Sequence, residues 1–357
     1  MRILQVYKDV YPEVSGGIER YVHDLSAFLA ARGHQVEILV TGGGEREVDG
    51  IPVHGVRELG RILSNPVAPG LSRALFRGGH QVVHFHLPLP SAVLAWLAGP
   101  PRRRTPWVVT YHSDIVRQAF AMPFYAPFLR RFLRGAYSVL ATSRNYQATS
   151  RYLSPLGNVQ VIPIGVDTGL FRPSGVPRGN YYLFVGRFRR YKGITVLLDA
   201  WKLMEDPPPL VLAGGGALEE RIRRTVSQKS LPVRILSDVS DEGLRELYSG
   251  ARALILPSTQ RSEAFGMVQL EAMACGTPVL SSDLPTGVTW VNSHRLTGLH
   301  FTAGDPRALM EAVMTMEGST SFREGAGKAA RHRAETLFES KRLFGKVEEC
   351  LKKAAGS

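Results

Sequence analysis

Hydrophobic and polar residues alternate along this chain in two patterns, short unbroken apolar runs and longer amphipathic stretches. Apolar runs bounded by turn residues favour buried strands, whereas apolar residues three or four positions apart favour helices. In the first half these patterns predict strands at residues 2–7, 35–40, 82–86, 107–111, 138–141 and 160–163. The helices predicted between them include residues 18–31 and 91–97. Strands that alternate with helices predict parallel sheets covered by helices.

The same alternation begins again after residues 170–179, where arginine, proline and glycine predict a linker. Strands are predicted at residues 181–185, 210–213, 234–236 and 253–256, and helices at 194–204, 218–227, 241–249, 266–274 and 340–353. A chain of 357 residues is too long for one ordinary core. We therefore expect two doubly wound α/β domains that face one another, with the ligand in the cleft at the carboxyl ends of the strands.

Composition bears on where in the cell the protein is expected. The hydrophobic share of 44% is ordinary for a globular protein, and no apolar run approaches the ~18 residues that a membrane-spanning helix needs. The first strand starts at once, without the apolar core of a signal peptide. Cys275 and Cys350 form neither a disulfide framework nor a metal-binding spacing. We expect a cytoplasmic protein, with peripheral attachment to the inner face of the cell membrane as an open alternative.

Basic residues exceed acidic ones, 44 against 31, and the excess is concentrated in one segment. Between residues 102 and 134 the only acid is Asp114, and the arginines are Arg102, Arg103, Arg104, Arg117, Arg130, Arg131 and Arg134. Large apolar side chains are interleaved with them, namely Phe120, Met122, Phe124, Tyr125, Phe128 and Phe132. Residues 117–134 therefore either touch an anionic membrane surface or bury their aromatic side chains in the core while the arginines reach solvent.

Two carboxylates, Glu263 and Glu271, stand eight residues apart around Gly266. The apolar pattern predicts that Glu263 lies in a loop before a helix and that Glu271 lies just over one turn inside it. Amides at a helix N-terminus favour an anion, and two carboxylate acceptors suit a ligand with many hydroxyl groups. Taken alone, the pair could also be two solvated carboxylates on a surface helix.

Two cations follow the first predicted strand of the second half. Arg187 comes directly after Gly186, and Lys192 comes directly before Gly193 and the next helix. A strand's carboxyl end and a helix's start both favour an anion, so these side chains suit a phosphate group. The alternative is a pair of surface cations.

Two glycine-rich loops follow strands in similar positions. Gly16 and Gly17 precede the first helix, and Gly215 lies in a run of three glycines after the strand at residues 210–213. Glycine lets the backbone approach phosphate oxygens because no Cβ intervenes. A plain turn is the usual meaning of two adjacent glycines.

Three histidines are predicted to gather at strands of the first half, His84, His86 and His112. Three imidazoles could bind zinc, but no carboxylate or cysteine partner has a recognisable spacing, so we expect no metal site. His112 follows a strand and could hydrogen-bond a ligand in the expected cleft.

Residues 261–278, Arg-Ser-Glu-Ala-Phe-Gly-Met-Val-Gln-Leu-Glu-Ala-Met-Ala-Cys-Gly-Thr-Pro, closely resemble the Glu-x7-Glu signature of retaining family-4 glycosyltransferases. That resemblance implies the GT-B fold, with two Rossmann-like domains facing across a cleft. It implies an acceptor-binding domain at residues 1–170, against which the helix at 338–357 packs, and a nucleotide-sugar-binding domain at 171–337.

The resemblance also assigns roles to the residues above. Arg187 and Lys192 match the family's diphosphate-binding cations, and Gly16 and Gly17 match its N-terminal glycine pair at the donor phosphate. Gly215 would act through its backbone, and His112 matches a catalytically important histidine. Glu263 would hold sugar hydroxyls beside the backbone of Ala264, Phe265 and Gly266, and Glu271 would accept from the ribose. We expect attack on the face that the diphosphate leaves, without metal or cofactor.

After this helix, Leu284-Pro285-Thr286-Gly287-Val288-Thr289-Trp290-Val291-Asn292 replaces the family's usual Gly-Gly-x-Pro-Glu. The segment resembles mannosyl- and rhamnosyltransferases of bacterial lipopolysaccharide O-antigen assembly. This subgroup implies a GDP-linked hexose and a glycan or polyprenyl-diphosphate-linked acceptor, with no nucleic-acid partner. Two alternatives stay open, a UDP-sugar enzyme with a soluble acceptor and a non-enzymatic basic module that binds nucleic acid or membranes.

Overall fold

The computed structural model describes the chain except for residues 15, 63–64, 101–104, 116–119 and 121. The described residues form two compact units. Unit 1 consists of Met1–Pro163 and Lys341–Ser357, and unit 2 consists of Ile164–Ser340. Each unit has its own sheet with helices packed on it.

Unit 1 contains an eight-stranded sheet in the order β10-β9-β8-β7-β1-β2-β4-β3. All of its neighbouring strands are parallel except β3 and β4, which form an antiparallel pair. Its strands are β1 (Arg2–Val6), β2 (Gln35–Thr41), β3 (Glu45–Val48), β4 (Ile51–Val56), β7 (Val82–Leu87), β8 (Trp107–Tyr111), β9 (Ser138–Ala141) and β10 (Val159–Val161). A separate two-stranded sheet pairs β5 (Gly60–Ile62) with β6 (Asn65–Val67).

The helices of unit 1 connect these strands, and one of them comes from the end of the chain. They are α1 (Gly17–Ala31), α2 (Leu71–Leu75), α3 (Pro90–Ala98), α4 (Met122–Gly135), α5 (Arg144–Thr149) and α13 (Ser340–Ala355). Helix α13 buries Leu343, Phe344, Val347 and Leu351, a spacing of three and four that gives it one apolar face. Phe344 packs on Tyr21 of α1, which brings the C-terminal helix onto the first helix.

Unit 2 contains a six-stranded parallel sheet in the order β13-β12-β11-β14-β15-β16. Its strands are β11 (Tyr182–Val185), β12 (Leu210–Ala213), β13 (Val233–Leu236), β14 (Ala253–Leu256), β15 (Val279–Ser282) and β16 (Gly298–Phe301). Its helices are α6 (Ile194–Lys202), α7 (Glu219–Gln228), α8 (Asp241–Gly250), α9 (Met267–Ala274), α10 (Val288–Val291), α11 (Pro306–Gly318) and α12 (Thr320–Leu337). Every residue of β11, β12, β14 and β15 is buried, as expected for strands covered on both faces.

The predicted parallel α/β architecture is confirmed in both units. The hairpin of β3 and β4, the small sheet of β5 and β6, and helices α2, α4 and α5 were not predicted from the pattern. Neither were the elements from β15 to α12. Strand β3 leaves all four of its residues exposed or half-buried, so its pattern carries no apolar run. Pro123 and Pro127 lie in α4 and interrupt the helical signal there.

Each sheet has a topological switch point, the position at which successive strands begin to be added on the other side of the first strand. In unit 2, β11 lies between β12 and β14, and in unit 1, β1 lies between β2 and β7. Loops that leave the carboxyl ends of the two strands at a switch point diverge to opposite sides of the sheet. The crevice that they leave is the usual ligand site of such sheets.

Candidate active site

The switch point of unit 2 brings together residues that are far apart in the sequence. Lys192 follows β11 in a short 3-10 turn, Arg190–Lys192, and Glu263 follows β14. The amine Nζ of Lys192 lies 2.6 Å from Oε2 of Glu263. The structure thus pairs a predicted phosphate ligand with a predicted sugar ligand at the crevice that the strand order selects.

This ion pair is shielded from solvent but not sealed. The side chains of Lys192 and Glu263 are 13% and 9% exposed. Burial opposes the charge on Lys192, but the neighbouring Glu263 carboxylate outweighs it and raises the pKa of the lysine amine above its ordinary value. Lys192 therefore keeps its proton and remains a cation at neutral pH.

The loop before α9 presents unpaired backbone donors. Within the part of the chain that the structure describes, the N–H groups of Ala264, Phe265 and Gly266 have no hydrogen-bond acceptor. All three residues are buried, and Gly266 caps the helix with a left-handed backbone, φ 73°. Three amides at the N-terminus of an eight-residue helix form a cradle for an anion or a ligand hydroxyl. The helix begins one residue later than the sequence pattern predicted.

Glu271 lies in the second turn of α9, as its place in the pattern predicted. Its Oε2 accepts a hydrogen bond of 2.6 Å from the hydroxyl of Tyr248, a fully buried residue of α8. Burial and the adjacent carboxylate together raise the pKa of Tyr248 well above its ordinary value, so the phenol stays a donor. Glu271 is thus a half-buried carboxylate with one oxygen held by the Tyr248 hydroxyl.

The glycines beside the cations serve close packing of loops. A Cβ on Gly193 would lie 1.8 Å from the carbonyl oxygen of Pro257, and one on Gly214 would lie 2.2 Å from that of Gly186. Gly215 accepts a hydrogen bond of 2.7 Å from the N–H of Phe188. These contacts hold the loop after β11 against the loops after β12 and β14, and Arg187 is exposed in the first of these loops.

Residues 284–292, which the sequence marked as a departure from the family, bind the Glu263 loop. The hydroxyl of Thr286 donates to the Glu263 carbonyl at 2.9 Å, and the N–H of Gly287 donates to that of Ala264 at 2.8 Å. At the other end, the buried side chain of Asn292 donates to Val279, Ser281 and Leu299 in β15 and β16. The segment therefore ties the loop of Glu263 to the sheet.

Sequence reasoning missed Ser258. Its hydroxyl donates to Oε2 of Glu263 at 2.8 Å, and its side chain is completely buried. The signal was available, because Ser258 lies two residues after β14 at the switch point. A serine is common in loops, however, and its spacing to Glu263 is not a recognised motif.

In unit 1, Gly16 caps α1 with extended backbone and Gly17 is the first helical residue. Glu19 in the first turn is buried, and its carboxylate lies 3.7 Å from the amine of Lys8. The glycine pair thus stands at a helix N-terminus after β1, which is the switch point of this sheet. Residue 15, immediately before the pair, lies outside the described residues.

His86 and His112 belong to a buried hydrogen-bonded chain. Oε1 of Gln5 lies 2.9 Å from Nε2 of His86, and Nδ1 of His86 lies 3.1 Å from Nε2 of His112. Because the amide oxygen only accepts, Nε2 of His86 must donate, and the neutral ring then accepts from His112. Nδ1 of His112 is left as an acceptor with no hydrogen bond in the described part of the chain.

Burial keeps these imidazoles neutral. It lowers the pKa of His112 to about 3, and together with nearby His112 it lowers that of His84 to about 3. The ring of Tyr21 packs edge-on against His112 with 5.2 Å between centroids. His112 therefore follows β8 as predicted, but its ring is enclosed under α1. Among the described residues no three His, Cys, Asp or Glu side chains converge as metal ligands.

The aromatic residues described within 117–134 fall into two groups, some exposed as a membrane contact requires and others buried in the core. Phe120, Phe124 and Phe128 are exposed by 69%, 82% and 48%. Phe132 is fully buried, with 5.1 Å between its ring centroid and that of Phe85, so the core alternative holds for this side chain. Phe132 belongs to the buried face of α4, together with Ala126, Leu129 and Leu133, which are three or four residues apart.

The basic side chains of this segment follow the same division. Arg130, Arg131 and Arg134 are exposed on α4, and Tyr125 is half-buried. The predicted contributions of Arg102, Arg103, Arg104 and Arg117 lie outside the described residues. No helix within the described ranges has both the length and the apolar character needed to cross a membrane.

Comparison with known proteins gives the same assignment over the whole chain. Residues 15–170 match the family described as Glycosyltransferase Family 4, and residues 170–333 match Glycosyl transferases group 1. The chain is 32% identical to O-antigen chain mannosyltransferase C of Escherichia coli, covering 96% of both chains. It is 32% identical to D-rhamnosyltransferase WbpZ of Pseudomonas aeruginosa, covering 95% of this chain and 92% of that relative.

Solved structures confirm the predicted GT-B fold. Sucrose-phosphate synthase from Thermosynechococcus elongatus superposes with a TM-score of 0.83 at 24% identity and full coverage of both chains. Anabaena HepE in complex with UDP and glucose gives 0.79 at 20% identity, covering 99% of this chain and 100% of that one. The alternative of a non-enzymatic basic module is wrong. The chain belongs to glycosyltransferase family 4, whose members are retaining enzymes.

Proposed function

We propose that this enzyme transfers mannose or rhamnose from a GDP-linked donor to a glycan or polyprenyl-diphosphate-linked acceptor in cell-surface polysaccharide assembly. Similarity to an O-antigen mannosyltransferase and to a rhamnosyltransferase supports this sugar class. The observation that carries the catalytic part is the Lys192–Glu263 pair at the switch point of unit 2. The pair supports the proposal because it sets a cation beside a carboxylate at this crevice.

The donor's diphosphate is proposed to lie against Lys192 and Arg187. Lys192 is held in place by Glu263 and stays protonated, and Arg187 is exposed in the adjacent loop. Negative charge grows on the bridging oxygen as the sugar leaves, and preorganised cations stabilise that charge more than the ground state. The unpaired N–H groups of Ala264, Phe265 and Gly266 add donors without a net charge.

The two carboxylates are proposed to bind different parts of the donor. Glu263 has one oxygen, Oε1, without a hydrogen bond in the described part of the chain, and this oxygen suits a sugar hydroxyl. Glu271, fixed by Tyr248, suits the ribose hydroxyls, a role that carboxylates have in other nucleotide sites. The loop with Gly215 is proposed to approach the nucleotide through its backbone.

Retention then follows from attack on the face that the diphosphate leaves. The acceptor oxygen bonds to the anomeric carbon as the bond from that carbon to the diphosphate breaks. The departing phosphate oxygen takes the acceptor's proton, so no protein base is needed. We propose that the Gly16–Gly17 backbone contributes to donor phosphate binding and that Nδ1 of His112 meets a ligand hydroxyl.

The acceptor is proposed to be reached at the cytoplasmic face of the membrane. Phe120, Phe124 and Phe128 form an exposed aromatic patch beside Arg130, Arg131 and Arg134, which we call the α4 patch. Aromatic side chains enter the interface while arginines attract anionic headgroups. The patch would hold a lipid-linked acceptor near the enzyme.

A panel of sugar nucleotides tests the donor assignment. Thermal unfolding and turnover are measured with GDP-mannose, GDP-rhamnose, UDP-glucose and UDP-N-acetylglucosamine, with and without EDTA. A donor present at 100 times its Kd should stabilise the fold by about 2.7 kcal/mol. We expect stabilisation and turnover with a GDP-sugar, undiminished by EDTA because fixed cations neutralise the diphosphate.

The other outcomes are equally informative. A response only to UDP-sugars would select the UDP-dependent alternative. Loss of turnover in EDTA with recovery in magnesium would contradict the proposed charge stabilisation. A wild-type protein that binds and turns over no member of the panel contradicts the proposed donor class.

A further inference from the structure

The Glu263 carboxylate is held from one side only. Its Oε2 accepts from Nζ of Lys192 at 2.6 Å and from Oγ of Ser258 at 2.8 Å. Its Oε1 accepts from no group in the described ranges of the chain. A carboxylate with one saturated oxygen and one available oxygen is oriented for a ligand that donates a hydrogen bond.

Ser258 is itself fixed by the sheet. The hydroxyl of Ser282, at the end of β15, donates to the Ser258 carbonyl at 2.5 Å. The preceding carbonyl, that of Pro257, packs so closely against Gly193 that a Cβ on Gly193 would collide with it. The Ser258 hydroxyl therefore stands on a rigid support, and both Ser258 and Ser282 are completely buried.

The Glu263 backbone is also held, but by other residues. Thr286 donates to the Glu263 carbonyl at 2.9 Å. Backbone restraint leaves the side-chain torsions free, so the loop alone does not set which carboxylate oxygen faces the crevice. Lys192 does not fix the orientation of the carboxylate either if the diphosphate attracts its amine. The Ser258 hydroxyl bonds to no other group among the described residues.

We propose that Ser258 is a positioning residue that holds Oε2 of Glu263 so that Oε1 faces the hydroxyl of the donor sugar. This inference rests on the proposed function, which makes Glu263 the sugar ligand. Ser258 needs no contact with the donor. Its loss lets the carboxylate rotate, and misplacement by about 1 Å can lower the rate by roughly 100-fold.

The test is a kinetic cycle with the sugar nucleotide that the panel identifies as the donor. Ser258→Ala should lower kcat roughly 10- to 100-fold, by the cost of misplacement, while the donor KM changes by less than about threefold. Glu263→Gln should lower kcat as well. Adding Ser258→Ala to Glu263→Gln should change kcat little further, because both changes remove one arrangement.

Ser26→Ala is the matched control. Ser26 is also a completely buried serine, but its hydroxyl donates to the Val22 carbonyl within α1 and does not touch Glu263 or the residues that hold its loop. This variant should keep kcat, and thermal unfolding shows how much each substitution destabilises the fold. If Ser258→Ala does not fold, Ser258→Cys keeps a similar side-chain shape with a weak donor and should lower kcat in the same way.

Three results would overturn the positioning role. They are full kcat in a folded Ser258→Ala or Ser258→Cys variant, equal losses in Ser258→Ala and Ser26→Ala, and losses from Ser258→Ala and Glu263→Gln that multiply. If the wild-type protein turns over no sugar nucleotide, the proposed function itself is contradicted before any variant is compared. The two failures are therefore distinguishable.

Discussion

At the scale of single residues, the charge balance of the site explains why Lys192 and Arg187 are not equivalent. Lys192 is nearly enclosed and already neutralised by Glu263, whereas Arg187 is exposed. In the proposed function, an incoming diphosphate shares Lys192 with a carboxylate and meets Arg187 in a solvated loop. The proposed pair therefore combines one enclosed cation with one exposed cation.

Removing either cation should reduce turnover more than stability. Arg187→Ala and Lys192→Ala each delete a charge-assisted contact that strengthens as the diphosphate leaves, at a cost of about 2–4 kcal/mol in transition-state stabilisation. Arg189→Ala, an exposed arginine of the same loop, is the matched control. The measurements are kcat/KM and thermal unfolding, and near-normal turnover in both site variants would sink the assignment.

Lys192→Gln separates charge from packing. Glutamine can still donate to Glu263, so the carboxylate keeps two hydrogen bonds and folding is preserved. If turnover falls as in Lys192→Ala, the positive charge is what matters. Recovery of turnover would instead assign Lys192 a structural role.

Tyr248 gives a second residue-scale prediction, for nucleotide affinity. Tyr248→Phe removes the donor to Glu271 and should weaken GDP binding roughly tenfold, since a hydrogen bond to a charged group contributes about 1.5–3 kcal/mol. Tyr182→Phe is matched, because Tyr182 is also completely buried and donates to a carboxylate, that of Glu317. Calorimetric titration with GDP should separate the two variants, and equal affinities would contradict the role of Glu271.

The site residues could be found from the sequence only where chemistry and spacing coincide. Glu263, Glu271, Arg187 and Lys192 carry charges at recognisable positions, and the structure places all four at the carboxyl edge of one sheet. Ser258 has an ordinary side chain, so only its contact distance reveals it. The positions of Gly193 and Gly214 were recognised, but the carbonyls that require glycine there come from distant strands.

At the scale of elements, one buried carboxylate adds polar contacts to the apolar packing of α13 in unit 1. Glu348 accepts from Arg32 at 2.6 Å, from His34 at 2.8 Å and from Lys352 at 2.6 Å. Burial opposes the charge of Glu348, but these donors outweigh it and lower the pKa of the carboxyl from 4.5 to about 2. A carboxyl that is easier to ionise in the folded state stabilises that state above its unfolded pKa.

Glu348→Gln should therefore destabilise unit 1 at neutral pH. We expect a cost of about 1–2 kcal/mol, less than the pKa difference alone implies because Arg32 and Lys352 are half exposed. The difference from wild type should be constant from pH 7 to about 5. It should shrink as the pH falls below 4.5 toward 2, where the wild-type carboxyl takes up its proton.

Urea unfolding checks this if it reports unit 1 alone. Replacing Trp201 and Trp290 with phenylalanine leaves Trp96 and Trp107, both in unit 1, as the fluorescent reporters. Glu349→Gln, an exposed neighbour on the same helix, is the control and should behave like wild type. A loss in Glu348→Gln that is the same at every pH would contradict the ionic explanation.

The elements show where pattern reading works and where it stops. Strands with long buried runs, such as β8, β9, β12 and β14, were predicted with the bounds that the structure has, because an unbroken apolar run has two clear ends. The β3–β4 hairpin was missed because pairing at a sheet edge leaves one face in solvent. Tertiary position, which the local pattern does not contain, decides such cases.

At the scale of the whole molecule, the net charge is +13, and part of this positive charge is concentrated on one helix. Helix α4 contains three exposed arginines and no acidic residue, next to Phe124 and Phe128. Basic and aromatic groups on one exposed surface suit an anionic bilayer better than a soluble protein partner, because lipids supply both charge and an apolar phase.

Vesicle binding should accordingly depend on the α4 patch. Near anionic lipid each arginine can contribute up to ~1 kcal/mol, so Arg130, Arg131 and Arg134 together give marginal but measurable attachment. Co-sedimentation with vesicles of phosphatidylcholine and phosphatidylserine should occur at low salt and weaken as salt screens the charges. Changing all three arginines to serine should abolish it, and Phe124→Ser should weaken it without removing charge.

The matched control changes the same net charge elsewhere. Arg221, Arg223 and Arg224 are exposed on α7 of unit 2, and their replacement by serine also removes three positive charges. Vesicle binding that survives this change but not the α4 change assigns attachment to the patch. Equal losses would make the attraction a property of net charge alone. A wild-type protein that ignores anionic vesicles at low salt would contradict membrane attachment and leave the glycosyltransferase assignment intact, because that assignment does not depend on α4.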